Sequence, residues 1–393
     1  MRIIGEKLKQ ARIIRGLSIT ELAERLEVTK QAISQYESEE IDPKNETVYK
    51  FVWKLCFPLE FFTRDYVTQI ESTNKFFRAL SSTNQLDKRT QEEKTIMVIR
   101  IYNFLNEFLD LPVLRVPDIR RPDKEIEDYQ IEDYDYIAMQ VRSAWNLGDA
   151  PIKNLITVLE QNGIVVSTIK NAKREIDAYT QVHTVSGDGM QYCIVIEDGK
   201  NSMSRRNFSA AHELGHIILH SELNIDEMEK DQINDLEKQA NAFASAFLMP
   251  RQSFYNELRE PTNINRYLPL KKKWHVSIMA MIMRSRDLMR INQYQYSNLM
   301  RECGRRKFKT EGEPLDKEIP IQQPQLFKQA LELLLKNNVL TVHTLLKELE
   351  IRGMALRLND IIDLLALTDD FFAPYQQEAP KGFTIRLKTE SDE

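Results

Sequence analysis

Two histidines four residues apart, with a glutamate after the first, stand in the apolar segment HELGHIILH that begins at position 212. In a helix, residues four apart lie on one face, so the imidazoles of His212 and His216 can share one cation. Glu213 lies about 100° further round the helix, where its carboxylate can reach a water molecule beside the metal without binding the metal. A zinc ion with such an acidic neighbour supports hydrolysis. The pattern therefore predicts a hydrolytic Zn²⁺ site, and the alternative is a pair of buried core histidines.

A third zinc ligand must come from elsewhere, and two candidates differ in their reach. His220 lies eight residues after His212, about 12 Å along a helix, whereas two ligands of one zinc lie about 3–4 Å apart. We therefore expect His220 to end the helix, or to contact a ligand or the substrate, rather than to bind the metal. In the helical segment INDLEKQANAFASAFLMP, Glu237 lies beside the apolar stripe and Asn241 follows one turn later. We expect Glu237 to complete the ligand set and Asn241 to orient a ligand through a hydrogen bond.

The elements that position this motif are predicted from periodicity and turn residues. The segments IVVSTI, AYTQVHTV and QYCIVIED precede the motif, and the sequence GDG between the last two indicates a hairpin. Helical periodicity dominates the rest of the chain, and Trp53, Trp145 and Trp274 lie in apolar helical contexts that predict core positions. The predicted fold class is mainly α with a small antiparallel sheet (α+β). The residue that would stabilise an oxyanion stays open among Tyr179, His183, Tyr192 and His220.

The first sixty-odd residues predict a bundle of short helices. Gly16 can end the first helix, Ser18 and Glu21 can form a capping box for the second, and Thr29 can cap a third that runs to about Glu37. Several polar side chains of this third helix are of the types that contact phosphates and base edges in a major groove, and a solvated polar face is the alternative. These candidate DNA-binding residues are Thr29, Lys30, Gln31, Ser34 and Gln35.

The run LKQARIIRGLSITELAERLEVTKQAISQYE resembles the Xre/phage-repressor family of helix-turn-helix domains over roughly residues 3–64. The resemblance implies that Gln31, Ser34 and Gln35 face bases, that Lys30 meets phosphate, and that Arg12 and Glu37 form a buried ion pair. The chain departs from the family at three positions. Ile19 replaces a glutamine that contacts phosphate, and Glu27 and Ser38 replace turn glycines.

The segments NFSAAHELGHIILH, EKQANAFASAFLMP and KKKWHVSIMAMIMRSRDL together resemble the ImmA/IrrE metallopeptidases, a gluzincin-like group often found beside or fused to Xre domains. The resemblance covers roughly residues 125–290. It implies that His212, His216 and Glu237 bind Zn²⁺ and that Glu213 is the general base of an endopeptidase. All four positions carry the residue types that the family's motif requires.

Composition and charge set the wider expectations. With 393 residues, 42 % hydrophobic and 29 % charged, the chain is long enough for several globular domains, and its net charge is −5. It has no uncharged apolar run of about 18 residues, so we expect no contact with a membrane. Its three widely spaced cysteines favour free thiols in a reducing cytoplasm. The predicted domains are a helix-turn-helix domain (1–66), a helical connector (67–124), the peptidase (125–300), a linker (301–325) and a C-terminal helical module (326–393).

These observations favour a DNA-binding transcription regulator with a zinc-dependent endopeptidase domain. By resemblance, it would cleave a repressor of the Xre type, or itself, to control a phage, a mobile element or a stress response. Residues 1–36 carry seven Lys and Arg against four Asp and Glu, which is a small basic excess. One such module would release few counterions from DNA, so we expect tight binding to a double-stranded operator to need a homodimer. The alternatives are a transcription factor whose zinc domain is a sensor or scaffold without turnover, and a toxin–antitoxin or defence component that regulates its own operon.

Overall fold

The computed structural model describes residues 2–73, 84–170, 178–186, 189–198, 202–223 and 228–376. The C-terminal module, predicted as 326–393, is therefore described as far as Gln376, and two residues of the predicted GDG turn lie outside the described residues. The described helices are α1 (Gly5–Ile14), α2 (Ile19–Leu26), α3 (Lys30–Glu37), α4 (Asn45–Leu55), α5 (Leu59–Thr63), α6 (Gln85–Asn106), α7 (Ile131–Ala144), α8 (Leu155–Gln161), α9 (Met203–His220), α10 (Lys230–Leu248), α11 (Arg251–Glu257), α12 (Tyr267–Trp274), α13 (Ile278–Asp287), α14 (Gln293–Arg305), α15 (Phe308–Glu311), α16 (Leu326–Lys336), α17 (Val342–Ile351) and α18 (Leu358–Leu364). The described strands are β1 (Ile70–Thr73), β2 (Val165–Lys170), β3 (Ala178–Val185) and β4 (Gly189–Asp198).

Helices α1 to α5 form the predicted N-terminal bundle, and local sequence signals set their ends. The Ser18 hydroxyl accepts from the Glu21 backbone N–H at 3.2 Å, and the Glu21 carboxylate accepts from the Ser18 N–H at 2.7 Å, which confirms the capping box. The Thr29 hydroxyl accepts from the Ala32 N–H at 3.1 Å and caps α3, as predicted. Glu27, which replaces a turn glycine, ends α2 at φ 59°, in the left-handed conformation that glycine adopts most readily.

A buried ion pair joins α1 to α3. The Arg12 guanidinium donates from Nε and Nη2 to the two carboxylate oxygens of Glu37 at 2.6 and 2.8 Å, and both side chains are less than one-tenth exposed. A bidentate pair of this kind fixes orientation as well as distance. The predicted structural role of these two residues is confirmed, and the pair holds the candidate DNA-binding helix on the bundle.

The sheet is small, as predicted, but the prediction that it is wholly antiparallel is wrong. Its strand order is β1-β3-β4-β2, with β3 and β4 forming the predicted hairpin and β2 lying parallel to β4. Strands β2 and β4 run in one direction and β3 runs in the other, which makes the sheet mixed. Strand β1, which sequence did not predict, pairs antiparallel with β3 at the edge.

Two hydrophobic cores cover the two faces of this sheet. The first contains buried residues of α1 to α6, of the segment 327–372 and of one sheet face, which includes Val165, Cys193 and Val195. The second lies between residues 129 and 308 and contains the other sheet face, which includes Ile194 and Ile196. The N-terminal bundle thus shares its core with the C-terminal helices. The predicted domain boundaries stay predictions.

Polar contacts also join the C-terminal helices to the rest of the chain. The buried Lys7 amino group donates to the Gly353 carbonyl oxygen at 2.7 Å, and Arg15 pairs with Asp360 at 2.7 Å. The segment predicted as a linker, 301–325, begins with the last turns of α14 and contains α15. It is tied to α12, because the buried Lys271 ammonium donates to the Glu313 carboxylate at 2.8 Å.

One predicted core residue lies at the surface. Trp145 and Trp274 are buried, whereas Trp53 is 75 % exposed. Helix α4 buries Val48, Phe51 and Leu55 along one face, and position 53 falls outside that stripe because successive helical residues turn by about 100°. The prediction of a core role for Trp53 is therefore wrong.

Candidate active site

Helix α9 carries the histidine motif, and a glycine within the motif lets α10 come close to it. A Cβ atom added to Gly215 would lie 3.1 Å from the Ala240 carbonyl oxygen and 3.2 Å from the Ala240 Cα. Such distances are shorter than most carbon contacts, so any larger residue at position 215 would push the helices apart. The close approach brings side chains of α10 to the histidine face of α9.

Three side chains from these two helices converge on one point. His212 Nε2 lies 3.1 Å from His216 Nε2 and 3.1 Å from Glu237 Oε2, and His216 Nε2 lies 3.5 Å from Glu237 Oε1. Among the described residues, these three alone form a cluster of His, Cys, Asp and Glu donors suited to a metal ion. The histidine side chains are mostly buried, whereas that of Glu237 is 43 % exposed, so the cluster is open to solvent on its Glu237 side.

The far nitrogens of both imidazoles have polar partners. His212 Nδ1 lies 3.0 Å from Asn241 Oδ1. His216 Nδ1 lies 2.9 Å from His220 Nδ1, and His220 Nε2 lies 2.8 Å from Gln239 Oε1. His220 is fully buried at the last residue of α9 and does not join the three-residue cluster. Sequence reasoning did not find Gln239.

The pKa values in the cluster reflect a strong coupling between acid and bases. Burial alone would raise the pKa of the Glu237 carboxyl, but the contacts with His212 and His216 outweigh it and hold this pKa below its usual range. Burial alone would lower the pKa of His212, but Glu237 and the nearby charge of Glu213 raise it above its usual value. Burial, with the field of His216, lowers the pKa of His220 to about 3, so this imidazole is neutral at physiological pH.

Glu213 has a partner on the sheet. Its side chain is buried, and its Oε2 accepts a hydrogen bond at 2.7 Å from the Thr180 hydroxyl on β3. Sequence reasoning missed Thr180. Strand alternation puts this residue on the same sheet face as Val182, which packs in the core that contains α9, and this was the available signal.

The four candidates for oxyanion stabilisation are all buried but do not share one surface. Tyr192 packs in the core that contains α9, and His220 lies at the end of that helix. Tyr179 packs in the core on the opposite sheet face, and strand alternation puts His183 on that same face. No one of the four is singled out by its position.

The candidate DNA-binding side chains lie on α3 and at its N-cap, at the surface. Gln35 is half-buried and the others are exposed. The Thr29 hydroxyl is used as the cap of α3, where it accepts from the Ala32 backbone N–H. The set comprises Thr29, Lys30, Gln31, Ser34 and Gln35.

Two protein-family models match separate parts of the chain. Residues 8–52 match the helix-turn-helix model, and residues 159–286 match the model of the IrrE N-terminal-like domain, which is a peptidase family. No curated protein matches the chain significantly. Among the described residues, no helix combines the length and the apolar character needed to span a bilayer.

The chain therefore combines a helix-turn-helix domain, which supports DNA binding, with a second domain of the metallopeptidase type. More particularly, it joins an Xre-type helix-turn-helix domain to an ImmA/IrrE-like peptidase domain, as the sequence motifs predicted.

Proposed function

We propose that this chain is a transcription regulator whose second domain is a zinc-dependent endopeptidase. The single observation that supports this most strongly is the approach of His212 Nε2, His216 Nε2 and a Glu237 carboxylate oxygen to within 3.1–3.5 Å of one another. Tetrahedral Zn²⁺ with bonds of about 2.0–2.2 Å to nitrogen and oxygen requires separations of this size. Two imidazoles and one carboxylate are also the donor set of a catalytic zinc site that keeps one position open.

The outer contacts fit metal binding through Nε2 of each histidine. With Nε2 as the ligand atom, His216 carries its proton on Nδ1 and donates to His220 Nδ1, and His220 then donates from Nε2 to Gln239. His212 likewise donates from Nδ1 to the side-chain oxygen Oδ1 of Asn241. Such partners fix the tautomer and the ring orientation of a ligand. His220 thereby acts on the site through His216.

Zn²⁺, when bound, acts as a Lewis acid and lowers the pKa of water to about 7. The residues of the chain then supply proton transfer and orientation. The Glu213 carboxylate takes a proton from the attacking water and can return it to the departing amine. The Thr180 hydroxyl, which donates to Glu213 Oε2, leaves the other oxygen of that carboxylate available for the proton.

The substrate that we propose is a protein, either a separate repressor of the Xre type or this chain itself. The test begins with elemental analysis of the purified full-length chain. The chain is then incubated alone and with Xre-type proteins encoded beside it, and every cut is mapped by mass spectrometry. We expect one Zn²⁺ per chain and a discrete cut that a chelator prevents. Zinc without any cut in either protein would favour the sensor or scaffold alternative, and absence of metal would contradict the zinc site.

For DNA, we propose that a homodimer binds paired half-sites on a double-stranded operator. Of the basic residues in 1–36, Lys7 and Arg12 are buried, and Arg15 pairs with Asp360. Few charges therefore remain for phosphate contacts. Each such contact changes the slope of the logarithm of the binding constant against the logarithm of the salt concentration by only about −0.9. A single module would bind weakly, so two linked modules are needed for tight binding.

Replacing Ser34 and Gln35 together by alanine is expected to remove most of the sequence preference of DNA binding. Good base contacts contribute about 1–3 kcal/mol each to discrimination, so the ratio of specific to non-specific affinity should fall at least about tenfold. Footprinting and competition binding would measure this ratio. The matched double variant Gln293→Ala with Ser297→Ala, on α14, should leave it unchanged. An unaltered footprint in the α3 variant would contradict the assignment of the recognition helix.

A further inference from the structure

Helix α4 leaves two large aromatic side chains at the surface of the N-terminal bundle. Trp53 is 75 % exposed and Tyr49 is 52 % exposed, although the opposite side of the helix is buried in the bundle. The two residues are four apart, so they lie on one face of the helix. Apolar surface in water is unfavourable, and its burial against a second surface recovers that free energy. The aromatic pair therefore marks a surface at which another molecule can dock.

Charged residues of opposite sign stand at the two ends of this aromatic pair. Glu46 lies in the first turn of α4 and Lys54 lies in the last turn. Both are exposed, and neither side chain has an ion pair or a hydrogen bond with another residue in the described part of the chain. They are eight residues apart, which is about 12 Å along a helix. Together, Glu46, Tyr49, Trp53 and Lys54 make up what we call the α4 face.

The distribution of charge on the α4 face is self-complementary. A two-fold axis between two antiparallel copies of α4 makes the same surface meet itself, so the acidic end of each helix lies beside the basic end of the other. The same arrangement brings Tyr49 beside Trp53 of the partner subunit, because both pairs are nearly symmetric about the middle of the helix. A parallel arrangement would place Glu46 beside Glu46 of the partner subunit. The charges therefore favour a second, antiparallel copy of this chain as the occupant.

Lys50 lies near the middle of the α4 face, where a two-fold axis would bring two lysines towards each other. Its ammonium is drawn away from the axis towards the end of α2. It donates to the Leu26 carbonyl oxygen at 3.5 Å and lies 4.0 Å from the Glu27 carboxylate. The negative charge of Glu27 offsets that of the ammonium, so repulsion between the two lysines is reduced.

We propose that the α4 face is the surface through which two copies of this chain form a homodimer. The proposal rests on the homodimer proposed above and names its interface. Four aromatic side chains, each of which can bury about 150–250 Å², cover at most about 1,000 Å². Stable interfaces bury about 1,200–2,000 Å². The chains therefore associate weakly and reversibly in the absence of DNA, and two half-sites on one operator strengthen the pairing.

Packing inside the bundle connects the α4 face to the candidate DNA-binding helix. Phe51, on the buried side of α4, packs edge-on against Tyr36 of α3, with ring centroids 6.1 Å apart. The buried pair of Arg12 with Glu37 holds the end of the same helix α3 on α1. Pairing of two α4 helices therefore fixes the separation and the orientation of two α3 helices. Paired half-sites on one operator require such a fixed geometry.

The test is sedimentation velocity of the full-length chain over a series of concentrations, and we expect a reversible equilibrium between monomer and dimer. Trp53→Ala should raise the dissociation constant of the dimer at least about 100-fold, because the two-fold axis makes one substitution remove two aromatic anchors. The matched control is Tyr294→Ala on α14, which truncates an aromatic side chain that is also 75 % exposed but lies outside the α4 face. It should leave the dissociation constant unchanged.

Charge reversal tests the antiparallel arrangement. Glu46→Lys and Lys54→Glu each put like charges together at two places, so each should weaken the dimer by about tenfold. The double variant restores opposite charges and should recover most of the lost affinity. Glu222→Lys makes the same charge change at an exposed position beyond α9 and should have no effect.

Indole fluorescence provides a second measurement of the same surface. Trp145 and Trp274 are buried, so quenching by iodide reports mainly on Trp53. This quenching should decrease as the concentration of the chain is raised, because the dimer covers the Trp53 ring. The Tyr294→Ala variant should show the same decrease as the wild-type chain.

The outcomes separate this interface from the homodimer itself. A wild-type dimer that Trp53→Ala does not weaken overturns the α4 interface and leaves the homodimer standing. A wild-type chain that stays monomeric up to millimolar concentration overturns both. A double charge variant that is as weak as the single variants overturns the antiparallel arrangement. Thermal unfolding shows whether each variant is folded, and the exposed positions of Glu46, Trp53 and Lys54 predict unchanged unfolding temperatures.

Discussion

Replacing Glu237 by alanine is expected to abolish stoichiometric binding of zinc. The carboxylate lies 3.1 Å from His212 Nε2 and 3.5 Å from His216 Nε2, and it is the sole acidic member of the donor cluster in the described residues. Loss of an outer-shell partner alone typically costs about 10–100-fold in metal affinity, so loss of a direct ligand should cost more than about 100-fold. Competition with a fluorescent zinc chelator, followed by elemental analysis after gel filtration, measures this change.

Two control variants make the result specific. Asp235→Ala removes another exposed acid of α10, which contacts only Lys238 among the described residues, and it should keep one zinc per chain. His220→Ala should also keep the metal, with an affinity weakened about 10–100-fold because His216 loses the partner of its Nδ1. If Glu237→Ala binds zinc as tightly as the wild-type chain, the ligand assignment is wrong. If His220→Ala loses zinc completely and Glu237→Ala does not, His220 must be the third ligand.

The parts of this site that sequence could predict are those set by helical periodicity. His212 and His216 are four residues apart, as are Glu237 and Asn241, so each pair lies on one face of its own helix whatever the rest of the chain does. The capping residues Ser18 and Thr29 are local in the same sense. The convergence of His212, His216 and Glu237 was expected because the family resemblance supplied the pairing of the two helices.

Contacts that depend on how elements pack could not be read from spacing. The approach of α10 to α9 at Gly215 brings Gln239 to His220, and no local pattern indicates that contact. Thr180 stands in a strand whose alternation was visible, but its proximity to Glu213 depends on which sheet face α9 covers. The positions of such partners become known only when the packing of helix on sheet is known.

Strand order and shared cores are likewise properties of the whole fold. In the observed order, the connection from β2 to β3 skips the position that β4 fills, and β4 pairs parallel with β2. Strands that follow one another in sequence usually lie side by side, so this order was not expected. Strand β1 has the polar sequence IEST, which carries no clear alternation, so it was missed. The packing of the C-terminal helices with the N-terminal bundle follows from long-range contacts such as that of Lys7 with Gly353.

Replacing Glu213 by glutamine is expected to remove proteolysis while leaving zinc and fold unchanged. Glutamine has nearly the same shape, and its carbonyl oxygen can still accept the hydrogen bond from Thr180. It cannot take a proton from water, and general acid–base catalysis typically contributes about 10²–10⁴-fold, so kcat should fall by about that factor. The rate of the mapped cut, or of cleavage of labelled casein where no natural cut is yet known, would measure the loss.

The matched control is Glu222→Gln, which makes the same chemical change at an exposed position just beyond α9. It should retain the full rate. Replacing a general base that is not a ligand should leave zinc bound. Loss of activity together with loss of zinc in Glu213→Gln would therefore mean that this carboxylate helps to hold the metal. Full activity in Glu213→Gln with zinc bound would instead remove the general-base role, and a DNA-binding sensor that needs no turnover would then explain the intact donor cluster better than an enzyme does.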